Sequence, residues 1–344
     1  MNTNALSATM ESQAQAGSMV RTVIFWAIVI GALYATASLL TDQRLVDLLF
    51  QIMLAASLAG AWNIVGGFGG QIALGHAAFF GVGAYTSTIL FQRYQLTPWV
   101  GMLVGAFLAA TLATLIGALT LRLRGPFFGM TTVAFTELVR IVVKNWDSLT
   151  GGTRGLWIPW EPNALNFSFS DRNSYLIVAI TLAVVVYTAT AIMARMKLGY
   201  LLNAVREDVD AARSVGVRVT RAKLISFAMS AAFVALGGTL YAQYTLSIDP
   251  TSVLSFDISI QMALMSVVGG LGTVIGPALG AIASVVSSSL LREWFGGELG
   301  ALHLLLYGIL FIVMMLYAPG GIVGIALDVK QRLSRKGNQE HRLA

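Results

Sequence analysis

The chain has no cysteine among its 344 residues. Disulfides, zinc–thiolate sites, iron–sulfur clusters and cysteine nucleophiles are therefore excluded, and thiol usage is silent about the redox compartment. Histidine is scarce too: three scattered residues, with no carboxylate at ligand spacing, give no recognisable metal-ligand set. Charge is the third shortage. Only 11% of residues are Asp, Glu, Lys or Arg, where a soluble domain carries about 25%. No G-x-x-x-x-G-K-[ST] segment occurs, so the chain lacks a phosphate-cradling loop of that type and is not expected to hydrolyse ATP. Serines are many, Ser287–Ser289 among them. None has a histidine and an acid at a convincing spacing, so no catalytic residue is assigned.

Apolar residues fill the space left by these absences. They make up 56% of the chain, and the mean hydropathy is +0.75. Long uncharged runs recur throughout, so the bilayer is the expected solvent and the expected fold is an all-α membrane protein. A spanning helix needs about 17–25 mostly apolar residues. Such runs lie at about 21–41, 46–65, 72–92, 98–121, 126–143, 174–194, 223–245 and 299–318. A longer apolar stretch, 257–291, is interrupted by Gly-Gly-Leu-Gly at Gly269–Gly272.

Basic residues set the expected topology. Seven lie between Arg195 and Lys223, five more follow Tyr317 (Lys330, Arg332, Arg335, Lys336 and Arg342), and Arg122 and Arg124 share a short loop. The positive-inside rule places all three groups on the cytoplasmic side. That requires an even number of crossings between the large loop and the C-terminal tail, so 257–291 is read as two. About ten transmembrane helices result, with both termini cytoplasmic and 15 of the 22 Lys and Arg residues inside. Short helices around a glycine break must be packed in protein, which predicts a central position for that pair. The net charge of +6 then reflects cytoplasmic loops. With no basic patch interleaved with aromatics, nucleic acid is not an expected partner.

The membrane domain is expected at 21–325. Residues 1–20 are polar, lack the basic region of a signal peptide, and read as a disordered cytoplasmic tail. Residues 326–344 read as a basic cytoplasmic tail. The segment 144–173 is the longest external loop and carries Trp146, Trp157 and Trp160. These tryptophans fit either an interfacial aromatic belt or an ordered docking or gating loop.

An internal repeat stands out. Val65–Ile72 (VGGFGGQI) and Val268–Ile275 (VGGLGTVI) share the pattern V-G-G-x-G-x-x-I. Transporters built from paired halves interrupt their helices at corresponding places along the substrate path. Gly66, Gly67, Gly69 and Gly70, with Gly269, Gly270 and Gly272, are therefore read as helix breaks in two pseudo-repeated halves. Gly75, Gly81 and Gly83 are expected to let the next helix pack closely. Polar residues near these spans are candidates for the translocation pathway: Gln71, His76, Glu137 and Gln261. Each has a plainer reading. His76 and the glutamines can hydrogen-bond neighbouring helices, and Glu137 can pair with Arg140 three residues on. Gln243 fits such a helix contact, and His303 fits the interface.

The segment Asn203–Phe227 reads NAVREDVDAARSVGVRVTRAKLISF. Helix formers run from Ala204 to Val215, and Gly216 suits a C-cap. Ala204, Ala211, Ala212 and Val215 can share an apolar face. Such a helix suits seating in another protein's groove or, equally, a solvated loop that only sets topology.

Within this segment, DAARSVG at Asp210–Gly216 resembles the E-A-A-x-x-x-G loop of bacterial ABC-importer permeases, with Asp210 where that loop usually has glutamate. The strings NIVGGFGGQIALGHAAFFGVGAY, LRLRGPFFGMTTVAFTELVRIVVKNWDSLTGGTRGL and MSVVGGLGTVIGPALGA extend the likeness, collinearly, over roughly residues 45–325. The chain resembles the branched-chain amino acid ABC transporter permease family, in motif order its LivM-type subunit. The resemblance implies an inner-membrane permease subunit that binds no cofactor itself. Two cytoplasmic ATP-binding subunits would use ATP and magnesium, a second homologous permease would complete the channel, and a periplasmic binding protein would deliver substrate. It also implies that the loop 195–222 docks on an ATPase subunit, through Arg206, Glu207, Asp208, Asp210, Ala211, Ala212 and Gly216. The implied substrate is a branched-chain amino acid. A same-family permease for urea, short amides or other amino acids, and an ion-coupled secondary transporter, are the alternatives.

Overall fold

Asp42 caps the helix that starts at Gln43 by accepting a hydrogen bond from Arg44 N at 2.9 Å. The computed structural model describes residues 42–295 apart from Arg122 and Arg124, together with Gly31, Tyr34, Leu40, 308–309, 312 and 320–325. Helix α1 (Gln43–Asn63) runs directly into a π-helical turn at Ile64–Phe68. After a non-helical stretch come α2 (His76–Tyr94), α3 (Pro98–Thr120) and α4 (Pro126–Asn145). Thr97 caps α3, and proline occupies the first turn of both α3 and α4, where its missing N–H costs nothing.

The segment 144–173 is ordered: α5 (Asp147–Thr150), strand β1 (Leu156–Trp157) and short 3-10 turns. Helix α6 (Arg172–Arg195), capped by Asp171, leads to α7 (Lys197–Glu207) and α8 (Val209–Ser214). Helix α9 (Val219–Thr245) returns to strand β2 (Ser247–Ile248), which pairs antiparallel with β1. A short α10 (Pro250–Val253), closed by an Asp249–Ser252 capping box, precedes α11 (Phe256–Gly269) and α12 (Gly276–Phe295).

Helix α1 is the hub, packed on α6, α9, α11 and α12, while α2 lies between α3 and α9. The α2–α9 contact is backbone to backbone. A Cβ on Gly83 would stand 2.0 Å from Ala235 O. Small residues at such crossings are how membrane helices gain close packing. Among the described residues, six stretches are long and apolar enough to cross a membrane: Gln43–Phe68, Pro98–Thr120, Pro126–Asn145, Arg172–Arg195, Val219–Thr245 and Pro250–Gly269. Helix α2 is not among them; most of it is buried in protein and need not suit lipid. Conversely, α3 exposes Leu103, Phe107, Leu115 and Leu119, and α4 exposes Phe127, Met130, Leu138 and Ile141, as hydrocarbon contact requires.

Six of the expected runs fall on helices. The run at 72–92 becomes helical only at His76, because the chain between Phe68 and His76 is non-helical. The stretch 257–291 is two helices that turn back on each other, with Gly269 against Gly276 and Met265 O against Gly280. Both pack on α1, and α12 also presents exposed Ile282, Leu290 and Trp294. The runs at 21–41 and 299–318, His303 and both tails lie outside the described residues.

At the end of the bundle away from α7 and α8, aromatic stacking orders the 144–173 segment. Trp99 stacks on buried Phe167 at 4.1 Å and donates its indole N–H to Ala164 O at 3.0 Å. Arg172 pairs with Asp47, which also accepts the Tyr244 hydroxyl at 2.5 Å, tying α6, α1 and α9 together. Trp146, Trp157 and Trp160 themselves are exposed. A cavity of about 430 Å³ opens beside Trp157, lined also by Phe91, Gln92, Gln95, Ile158, Pro159 and Glu161.

Candidate functional site

The two copies of V-G-G-x-G-x-x-I touch. Asn63, the last residue of α1, donates from Nδ2 to Thr273 O at 2.9 Å and accepts from Gly272 N at 3.0 Å. A Cβ on Gly67 would lie 2.5 Å from Gly272 N, so these backbones meet without room for a side chain. Gly66 and Gly67 sit in the π-helical turn, Gly66 packed against the Trp62 ring. Gly69 ends the turn, and Gly70 leaves it in the left-handed region (φ +64°). Gly269 closes α11, and Gly270 and Gly272 form the return toward α12. A third glycine pair joins them, since a Cβ on Gly321 would stand 2.6 Å from Gly270 N. π-turns are rare and are found mostly at functional sites.

One residue of the loop between α6 and α9 enters this cluster. Arg206, in the last turn of α7, donates from Nη1 to Gly67 O at 2.9 Å. A Cβ on Gly272 would lie 2.1 Å from the same Nη1.

The loop itself differs from the single helix expected at Ala204–Val215. Asp208 adopts an extended conformation (φ −151°, ψ 117°) and splits it into α7 and α8. The cause is capping: the Asp208 carboxylate accepts from Asp210 N at 2.8 Å and Ala211 N at 2.9 Å, bonds an uninterrupted helix would not need. The shared apolar face of Ala204, Ala211, Ala212 and Val215 is therefore lost. Ala212 is buried against Val205 and Val219 in a small core of the loop's own. Its side chain faces into that core. Ala211, Val215 and Gly216 are exposed, as are Glu207 and Asp210. Gly216 takes φ +85° and ends the unit, as expected of a cap.

The pathway candidates are not gathered at one place. His76 is fully buried, its Nε2 2.9 Å from Ser230 Oγ, and Ser230 donates onward to Ala61 O at 2.7 Å. That chain ties α2, α9 and α1. Gln71 is buried in the non-helical stretch beside the first break. Glu137 is bound to Arg140 at 2.6 Å on its own helix. Gln261 is exposed on α11. Among the described residues, no group of three or more His, Asp or Glu could hold a metal ion.

The family model described as branched-chain amino acid transport system / permease component matches residues 44–315. The chain belongs to that permease family. The high-affinity branched-chain amino acid transport system permease protein LivM of Escherichia coli is 31% identical over 307 residues, 83% of this permease and 71% of that protein. The LivM homologue of Methanocaldococcus jannaschii is 24% identical, covering 71% of this permease and 77% of its own length. LivH of Salmonella typhimurium, also named a branched-chain amino acid permease, is 24% identical over 78% of this permease and 91% of its own. Among solved structures, PsaBC from Streptococcus pneumoniae in complex with Fab aligns at a TM-score of 0.47 and 15% identity, over 88% of this permease and 99% of that chain, too distant to bear on function.

As a permease this multi-pass chain is a transport component, not a catalytic subunit. Its notable chemistry is concentrated where the loop meets the glycine breaks. Sequence reasoning found the breaks and Arg206 but not Asn63, Thr273, Ser230 or Gly321. The third glycine pair was visible as Gly320–Gly321 followed by Gly324. Asn63 carried a weaker signal, a lone amide at the end of an apolar run.

Proposed function

We propose that this chain is one of two membrane-spanning subunits of an ATP-driven importer in the bacterial inner membrane, passing branched-chain amino acids to the cytoplasm. It crosses the membrane about ten times with both termini inside. A homologous permease pairs with it, as the likeness to both LivM and LivH supports. Two ATP-binding subunits hold ATP and magnesium, and a periplasmic binding protein presents substrate to the 144–173 face. The pathway is apolar and holds substrate weakly, because discriminating one methylene is worth only about 1–3 kcal/mol in an apolar pocket.

The observation that carries this reading is the α7–α8 unit. It has its own small core of Val205, Ala212 and Val219, yet leaves Ala211, Val215 and Gly216 exposed at one end of the bundle. A rigid helical unit with a bare small-residue surface is suited to an ATPase groove. Its exposed residues Glu207, Asp208 and Asp210 supply charge at the rim. An ion-coupled transporter fits less well: Glu137 is engaged by Arg140 and His76 by Ser230.

The test is reconstitution. This permease, its partner permease, both ATPases and the binding protein are placed in proteoliposomes, and leucine uptake is measured. Uptake that needs both ATP and the binding protein is expected. Uptake by this chain alone, driven by an ion gradient, sinks the reading.

A further inference from the structure

Arg206 stands at a junction that its place in the loop does not require. It is the penultimate residue of α7, two positions before the extended Asp208 hinge, so its backbone moves with the α7–α8 unit. Its guanidinium reaches inward to the Gly67 carbonyl, 139 residues away in sequence. Gly67 lies in the π-helical turn that ends the span begun by α1. Carbonyls at a helix C-terminus lose their intrahelical donors, and a cation is favoured there. The same Nη1 occupies the space that a Cβ on Gly272 would need, and Gly272 N is held by Asn63.

We propose that Arg206 is the positioning residue that transmits movement of the α7–α8 loop to both glycine breaks at once. The claim rests on the importer reading above and adds the route by which the loop acts. Its physical content is lack of slack. Gly67 and Gly272 touch with no side chain between them, and Asn63 closes the pair from the other side. Close-packed interiors transmit displacement instead of absorbing it, and they switch between discrete packings. A shift of the loop must either carry the Gly67 carbonyl with Arg206 or release it. In both cases the two breaks rearrange together. Arginine suits this post because its charge is permanent and its planar fork presents several donors, whereas lysine offers a point charge on a flexible stem.

The experiment uses the complete importer in proteoliposomes and reads substrate taken up per ATP hydrolysed. For Arg206→Ala, that ratio is expected to fall about tenfold, within the usual range of allosteric coupling. Arg206→Lys should recover part of it. A ratio equal to wild type in Arg206→Ala overturns the proposal. So does loss of the ATPase subunits from the purified Arg206→Ala complex, which would make Arg206 an ATPase contact. A second measurement needs no variant: hydrogen exchange on the wild-type complex with and without trapped nucleotide. Protection should change together at residues 66–72 and 270–273, and no change at either break also overturns the proposal. Failure here leaves the importer reading intact if wild-type uptake still depends on ATP; if it does not, the importer reading fails first.

Discussion

At the scale of single residues, His76 shows how burial reassigns a polar group. Its Nε2 lies 2.9 Å from Ser230 Oγ and its Nδ1 3.3 Å from Ala73 O, so both ring nitrogens have a partner inside the bundle. The ring also packs edge-on against Phe79 and Phe227 at 5.8 Å. A residue held on all sides supports helix packing and has no open face toward a substrate. His76→Ala should therefore cost about 1–3 kcal/mol, the penalty for stranding a buried partner. Thermal unfolding in detergent reads this loss, while the KM for uptake stays at the wild-type value; a changed KM would return His76 to the pathway. Glycine gives the sharper contrast. Gly83→Ala drives a methyl group into Ala235 O, and overpacking of this kind costs about 1–3 kcal/mol or more. Gly324→Ala meets nothing within 4 Å among the described residues and should leave the melting temperature unchanged.

Among the elements, the spanning helices were legible and the loop was not, for different physical reasons. Hydrocarbon demands a long apolar run whatever the neighbours are, so α1, α3, α4, α6 and α9 could be placed from composition alone. The division of the loop depends on a competition. Alanine-rich sequence favours one helix from Ala204 to Val215, but Asp208 gains two backbone hydrogen bonds by stopping it. Aspartate is a preferred N-cap, so the signal was present and was outweighed by helix propensity. The contact of Arg206 with Gly67 had no local signal at all, since it depends on how α6 delivers α7 beneath α1. Two substitutions separate the faces of the resulting unit. Ala211→Trp, on the exposed side, should abolish co-purification of the ATPase subunits without lowering the yield of membrane-inserted permease. Ala212→Trp, in the loop's core, should lower that yield and raise protease sensitivity between Lys197 and Val219. If Ala211→Trp retains the ATPase at the wild-type level, the docking surface lies elsewhere.

For the whole molecule, the issue is which way the bundle stands in the membrane. The described helices put β1, β2 and the Trp99–Phe167 stack at one end of α6 and α9, and α7 and α8 at the other. Counting crossings cannot finish the argument, because the runs at 21–41 and 299–318 lie outside the described residues. Charge can, since the seven basic residues between Arg195 and Lys223 belong on the cytoplasmic side. The absence of cysteine turns this into a direct measurement, because every engineered thiol is the only one present. In intact cells an impermeant maleimide should label Trp157→Cys, which is exposed beside the cavity at the β1 end. Val215→Cys, exposed on the loop, should react only after the inner membrane is opened. Ser334→Cys then decides the parity of crossings between α9 and the C-terminus. Labelling only from the cytoplasmic side, together with Val215→Cys, requires an even number of crossings after the loop. Since α11 and α12 turn back on each other as two helices, that parity fits ten spans. Labelling of Ser334→Cys in intact cells would demand an odd number of crossings between the loop and the tail, and the ten-span topology would have to be abandoned.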